Sequence, residues 1–296
     1  MLSKKASEIR KTLKKKSVFT LIPLKARRIA WEKLMEKFPH PDHIIIQQKS
    51  INNINTEWLS CKNQNSNKVI IHLHGGGFVM GSCITHRNFA SKIVDATNLT
   101  VILVDYSLAP EYPFPAALND CFSIYKSLTE NKIKPENIII GGDSAGGGLT
   151  ISLLLKIKEQ NMQMPLCAYA ISPWVDLTLS GESIIARKKH DPMVSKKGLK
   201  KDVKLYLKNT SPENPFASPI FGDFSGFSPL LIHVGKDEIL LSESELLAAK
   251  AKNAGVNVKI EIWEDLWHVF HAYPIPEADE AIKKIAGFIN NISNSI

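Results

Sequence analysis

Residues 141 to 148 read G-G-D-S-A-G-G-G, directly after the apolar run E-N-I-I-I at 136 to 140. Such a stretch can cradle a phosphate, form a flexible turn, or bend so as to present a nucleophilic serine. Gly142 and Gly146 stand two residues either side of Ser144, between an expected strand and an expected helix. That is the spacing of a nucleophile elbow, whose strained turn leaves no room for side chains at the flanking positions. The phosphate reading is weaker, because G-x-x-x-x-G-K-[ST] is absent and no G-x-G-x-x-G fits here. Alone, the stretch divides evenly between a catalytic serine and a structural turn, and Gly148 is assigned only to helix packing.

The surroundings supply an alternation of strands and helices. Short β-rich runs occur at 44–48, 56–61, 69–73, 100–104, 137–140, 166–171, 230–233 and 258–263. Helical patterns fall at about 85–97, 115–130, 146–160, 242–254 and 277–291. The repetition predicts an α/β fold, a mostly parallel eight-stranded sheet with helices on both faces, its first two strands an antiparallel edge joined by N-N-I-N. Ahead of it, apolar residues at three- and four-residue spacing predict amphipathic helices over 2–16 and 24–38, punctuated by Pro23, Pro39 and Pro41. Residues 174–227 hold several prolines and a lysine-rich helical piece near 195–208, too much chain for a plain loop. The expected organisation is therefore cap helices over 1–42, core over 43–173, a cap insertion over 174–227, and core again over 228–296.

A catalytic serine needs an oxyanion site, a base and an acid. H-L-H-G-G-G-F at 72–78 follows a strand, and three glycines there can turn backbone N–H groups toward a developing oxyanion. His74 is read as shaping that loop by hydrogen bonding and His72 as a strand histidine; a metal site from the pair lacks further ligands. In an α/β-hydrolase sheet the acid and then the histidine follow the serine, each after a later strand. V-G-K-D-E-I-L offers Asp237, preferred to the adjacent Glu238 because it comes first after the turn, and E-D-L-W-H-V-F-H offers His268, with His271 a more distant competitor.

Bulk properties narrow the class. The 296 residues are 44% hydrophobic and 22% charged, as in ordinary globular proteins, and no apolar run reaches the ~20 residues of a membrane span. No secretory signal is read at the N-terminus. Cys61, Cys83, Cys121 and Cys167 lie far apart without a C-x-x-C pair, which argues against zinc or a disulfide framework and for a reducing cytoplasm. The net charge of +8 is concentrated in residues 1–37, with twelve Lys or Arg against three Glu. No nucleic-acid motif accompanies that charge. The basic helices are expected to bury their apolar faces on the domain rather than lie on a membrane surface, though weak contact of that kind stays open.

Taken together, H-G-G-G, G-D-S-A-G and V-D-Y-S-L-A-P-E-Y-P-F-P-A-A-L-N-D at 104–120 closely resemble the hormone-sensitive-lipase-like esterases of bacteria. The resemblance runs from about residue 68 to the C-terminus and implies a helical cap over an α/β-hydrolase core. It implies carboxylic ester hydrolysis on short- to medium-chain acyl esters, with Ser144 as nucleophile, Asp237 as acid and His268 as base. It also implies an oxyanion hole from the N–H groups of Gly75, Gly76 and Ala145, supported by His74, Gly77, Gly142, Asp143 and Gly146. Two departures stand out: Ser107 where the family commonly has Arg, and D-E-I where many members read D-P-L. No cofactor or metal is expected; the expected partner is a small ester, and a homodimer stays open. The same constellation also serves lactones, amides and thioesters, while receptors resembling this family lack the histidine.

Overall fold

The computed structural model describes residues 2–14, 22–38, 40–62, 64 and 66–294. Eight strands form one sheet: β1 (Ile44–Ile51), β2 (Ile54–Cys61), β3 (Val69–Leu73), β4 (Thr100–Val104), β5 (Ile138–Asp143), β6 (Cys167–Ile171), β7 (Leu230–Gly235) and β8 (Val258–Trp263). Their order is β1-β2-β4-β3-β5-β6-β7-β8, antiparallel at β1–β2–β4 and parallel from β4 onward. The edge hairpin turns on Asn52 and Asn53, both at positive φ, 51° and 65°. Asparagine tolerates that region, and two such residues give the tight turn whose twist matches paired strands.

The helices are α1 (Lys4–Lys14), α2 (Leu24–Met35), α3 (Cys83–Thr97), α4 (Ala116–Glu130), α5 (Ala145–Glu159), α6 (Ser183–Ala186), α7 (Lys196–Leu207), α8 (Leu241–Asn253) and α9 (Pro276–Ser293). The expected extension of the first helix to residues 15 and 16, and Pro39, lie outside the described residues. Because the inner strands are buried on both faces, their near-continuous Ile, Leu and Val feed two cores. Ile71, Ile102 and Ile140 join α4, α5 and α8 on one side, while Ile70, Val101 and Ile139 join α3 and α9 on the other.

Both segments expected above the sheet dock on the H-G-G-G-F loop and the turns around it. Tyr206 of α7 stacks on Phe78 with ring centroids 3.9 Å apart. From α2, Arg28 donates from Nε to the Val79 carbonyl at 2.6 Å and from Nη2 to the Ala109 carbonyl at 2.7 Å. Where the family commonly has Arg, Ser107 donates its amide to Asp120 Oδ2 at 2.8 Å.

Gly148 acquires a specific packing role. It sits inside α5, and a Cβ there would collide with the Trp174 carbonyl oxygen at the start of the 174–227 segment. Gly148→Ala is expected to destabilise by about 1–3 kcal/mol, the usual cost of overpacking, read as a lower urea midpoint at unchanged slope. Gly287, in α9, has open space for 4 Å around the place a Cβ would take. Gly287→Ala is therefore the control, expected to stabilise by about 0.5–1 kcal/mol.

Candidate active site

Ser144 occupies the turn from β5 to α5 with φ 54° and ψ −120°. That strained conformation persists because its surroundings determine it. The Ser144 amide donates to the Ile171 carbonyl at 2.8 Å, and its carbonyl accepts from Gly148 and Trp174 amides at 3.0 Å. Close approach explains the flanking glycines: a Cβ on Gly142 would strike the Gly146 carbonyl, and one on Gly146 the Leu73 carbonyl. The hydroxyl is thereby pushed out above the carboxyl ends of the strands.

His268 lies in the turn after β8, where its Nε2 is 2.8 Å from Ser144 Oγ and its Nδ1 is 2.8 Å from Glu238 Oε2. A carboxylate at Nδ1 keeps the proton there and leaves Nε2 free to accept from the serine hydroxyl. Burial alone lowers the imidazole pKa, but the hydrogen bond and charge of Glu238, with Asp191 and Asp143 behind it, outweigh burial and hold it above its ordinary 6.5.

The carboxylate that faces His268 is thus Glu238, not the Asp237 expected from the sequence. The turn closes by a Glu238 amide bond to the Gly235 carbonyl at 3.2 Å, while the Asp237 amide bonds to the Leu266 carbonyl at 3.1 Å. The two neighbouring side chains diverge. Glu238, fully buried, points inward, its Oε1 accepting from the Gly235 amide and the Ser172 hydroxyl, each at 2.6 Å. That leaves Oε2 for the histidine. Asp237 points outward and pairs with Arg10 of α1.

The oxyanion expectation is also revised at Gly75. Its amide is already committed to Asp143 Oδ1 at 3.1 Å and His86 Nε2 at 3.3 Å. Gly76 and Gly77, at φ 128° and 66°, follow it in the loop, and their amides have no partner among the described residues. Ala145 opens α5, so its amide belongs to the first turn, where no intrahelical acceptor exists. Helix termini of this kind suit developing negative charge.

Asp143 is a hub below the loop. It takes hydrogen bonds from the Gly75 amide and His72 Nε2 (3.2 Å) and lies 3.4 Å from His86 Nε2. Burial raises its pKa, yet the nearby His86 and His72 together hold it well below the usual carboxylate range. His86 had no position in the serine, acid, histidine order, and only the fold reveals it. His74 bonds the Gly75 carbonyl at 2.9 Å and stacks on Tyr106 at 4.1 Å, and burial lowers its pKa to about 3. His271 is buried against His233, with nitrogens 3.1 Å apart, away from Ser144.

Among the described residues, one triplet of metal-capable side chains gathers, His43, Cys61 and Asp95, on the surface, and His72 and His74 are not part of it. Its His43 Nε2 lies 2.6 Å from Asp95 Oδ1. All four cysteines are free thiols.

Residues 70–272 match the family described as having the alpha/beta hydrolase fold. The chain belongs to that family. It is 35% identical over 289 residues to an esterase of Acinetobacter venetianus, covering 97% of this chain and 95% of the relative. Among solved structures, EstE5 soaked with p-nitrophenyl butyrate superposes with a TM-score of 0.95 at 40% identity, covering 99% of both chains. An esterase from the bacterial hormone-sensitive lipase family superposes at 0.94 with 33% identity, again covering 99% of both. The hydrolase fold and its likeness to that lipase family therefore extend to the N-terminal helices, beyond the stretch from residue 68 in which the motifs lie.

Proposed function

We infer that this hydrolase cleaves carboxylic esters through an acyl-enzyme. The observation that carries the reading is the unbroken line of hydrogen bonds from Ser144 Oγ through His268 to Glu238, each 2.8 Å long. Ser144 Oγ attacks the ester carbonyl while His268 Nε2 takes its proton, and Glu238 stabilises the imidazolium that forms. The carbonyl oxygen becomes an oxyanion facing the amides of Gly76, Gly77 and Ala145, donors fixed before the charge develops. His268 then hands its proton to the departing alcohol. In the second half-reaction a water loses a proton to His268 and attacks the acyl carbonyl, and His268 returns that proton to Ser144 Oγ as the acid leaves.

Short acyl chains are the favoured substrates, because α7 lies close over the loop. Tyr206 covers Phe78, and Asp202 stands where a Cβ on Gly77 would reach. The p-nitrophenyl butyrate soaked into the EstE5 crystals is a short acyl ester of this kind. A p-nitrophenyl ester series should give its highest kcat/KM at acetate to hexanoate and fall steeply by dodecanoate. Faster turnover of a lactone or anilide panel than of these esters would move the reading to a lactonase or amidase.

No helix among the described residues is long and apolar enough to cross a membrane. Four free thiols fit a reducing compartment, and we place the enzyme in the cytoplasm.

A further inference from the structure

The basic N-terminal helix touches the catalytic machinery from behind. Leu2, Ala6, Ile9 and Leu13 of α1 and its N-terminal flank pack with Leu266, Trp267 and Phe270, the residues on either side of His268. Ser3 fixes its start, with the amide and hydroxyl donating to the Glu277 carboxylate at 2.6 and 3.0 Å. Further along the helix, the Arg10 guanidinium reaches three separate segments. It donates to the Asp265 carbonyl in the histidine turn, to the Asp237 carboxylate in the acid turn, and to the His190 carbonyl in the 174–227 segment at 3.2 Å. The two charged side chains are 16% and 13% exposed, so their pairing is largely withdrawn from water.

Few side chains can do this. A planar guanidinium offers five donors in a fixed fork on three nitrogens, so one arginine can hold three acceptors from different loops in one geometry, whereas a lysine's three donors share a single nitrogen and its shorter reach. The acid turn and the histidine turn are already joined by the Asp237 amide bond to the Leu266 carbonyl at 3.1 Å. The third segment also reaches the acid turn, since Asp191 Oδ2 accepts from the Ile239 amide at 3.0 Å. Arg10 closes this set from outside, gripping the chain one residue before Glu238 and three residues before His268.

We propose that Arg10 is a positioning residue, through which docking of α1 sets the distance between the Glu238 and His268 turns and couples the N-terminal helix to turnover. Asp237 is then the anchor of that strut. The proposal rests on the ester-hydrolase reading above. A misplacement of about 1 Å between catalytic groups costs on the order of a hundredfold, so the loss belongs in kcat, while substrate contacts and KM are left alone.

The experiment compares wild type, Arg10→Ala, Arg10→Lys and Asp237→Asn with p-nitrophenyl butyrate, each checked by circular dichroism and thermal melting. Arg10→Ala should lower kcat about ten- to hundredfold with KM within twofold, and Arg10→Lys should recover only part of it. The side chain removed forms part of the wall of a surface hollow that Leu2, Arg187, His190 and Asp237 also line, so its loss opens the site of the guanidinium to solvent. Guanidinium ion at millimolar concentration should therefore restore part of the Arg10→Ala rate and none of the Asp237→Asn rate. The double variant Arg10→Ala with Asp237→Asn should lose no more than the worse single one. Folded Arg10→Ala with kcat within twofold of wild type overturns the proposal. So does a loss that tracks melting temperature and resists guanidinium. If Arg10→Ala does not fold, Asp237→Asn decides: a kcat loss at unchanged KM in a folded protein supports the strut, and unchanged kcat overturns it. A wild-type enzyme without esterase activity would instead sink the reading of function.

Discussion

Ser144→Ala is expected to remain folded and to lose turnover of p-nitrophenyl butyrate by a factor of about 10³ or more. Removal of a triad nucleophile leaves only binding and the oxyanion donors. The fold should survive, because what holds the elbow is backbone: the Ser144 amide to Ile171, and the Ser144 carbonyl to Gly148 and Trp174. The side chain lost has one bond among the described residues, to His268 Nε2. Alanine inherits the same positive φ, so the strain is common to both proteins and cancels in the comparison. The measurement is kcat at saturating ester, with a melting curve on the same sample. Turnover above about a tenth of wild type from a folded variant would show that Ser144 is not the nucleophile.

The sheet, its order of chemistry and the elbow were legible because each rests on a local rule. Short apolar β-rich runs mark strands, and Asn52-Asn53 marks a tight hairpin. Glycines at 142 and 146 mark places where another carbonyl comes too close for a Cβ. The choice between Asp237 and Glu238 rests on nothing local. Both carboxylates sit in one turn, and which of them faces inward is decided by a closing bond to Gly235 and by two donors, the Gly235 amide and Ser172, waiting on the inner side. Ser172 lies 66 residues away from Glu238 in the chain. In the same way Gly75 looks like any other amide of a glycine loop until the fold brings Asp143 beneath it. His86 has no motif at all, only a place in α3 that faces that carboxylate. Arg10 was visible only as one of twelve basic residues near the N-terminus; its three acceptors come from segments 180 to 255 residues distant. What sequence hides here is the partner of each long-range polar contact.

The sharpest separation of the two acidic neighbours is the pair Glu238→Gln and Asp237→Asn. Glu238→Gln keeps the shape but removes the charge, and its amide nitrogen can turn toward Nδ1, favouring the imidazole tautomer that cannot accept from Ser144. Loss of kcat by about 10⁴ follows, the size known for the corresponding Asp-to-Asn change in a serine triad. Asp237→Asn weakens the link to Arg10 and a longer contact, 3.8 Å, with His190 Nδ1, and leaves the Glu238–His268 bond its charge, so its loss should stay within about a hundredfold. The pH profile divides them further. His268 accepts the serine proton only when neutral, so kcat/KM falls as pH drops through its pKa. In wild type that acidic limb should lie above 6.5, since the bond and charge of Glu238 outweigh the lowering by burial. Without that charge, burial acts against the imidazolium with less opposition, the pKa falls, and the residual activity of Glu238→Gln should persist to lower pH. In Asp237→Asn the limb should move far less, because the Glu238 charge, which faces Nδ1 at 2.8 Å in the wild type, is still present beside the imidazole. A reversed pattern, with the larger loss and the shifted limb in Asp237→Asn, would return the catalytic role to Asp237 and require the 235–238 turn to rotate in solution.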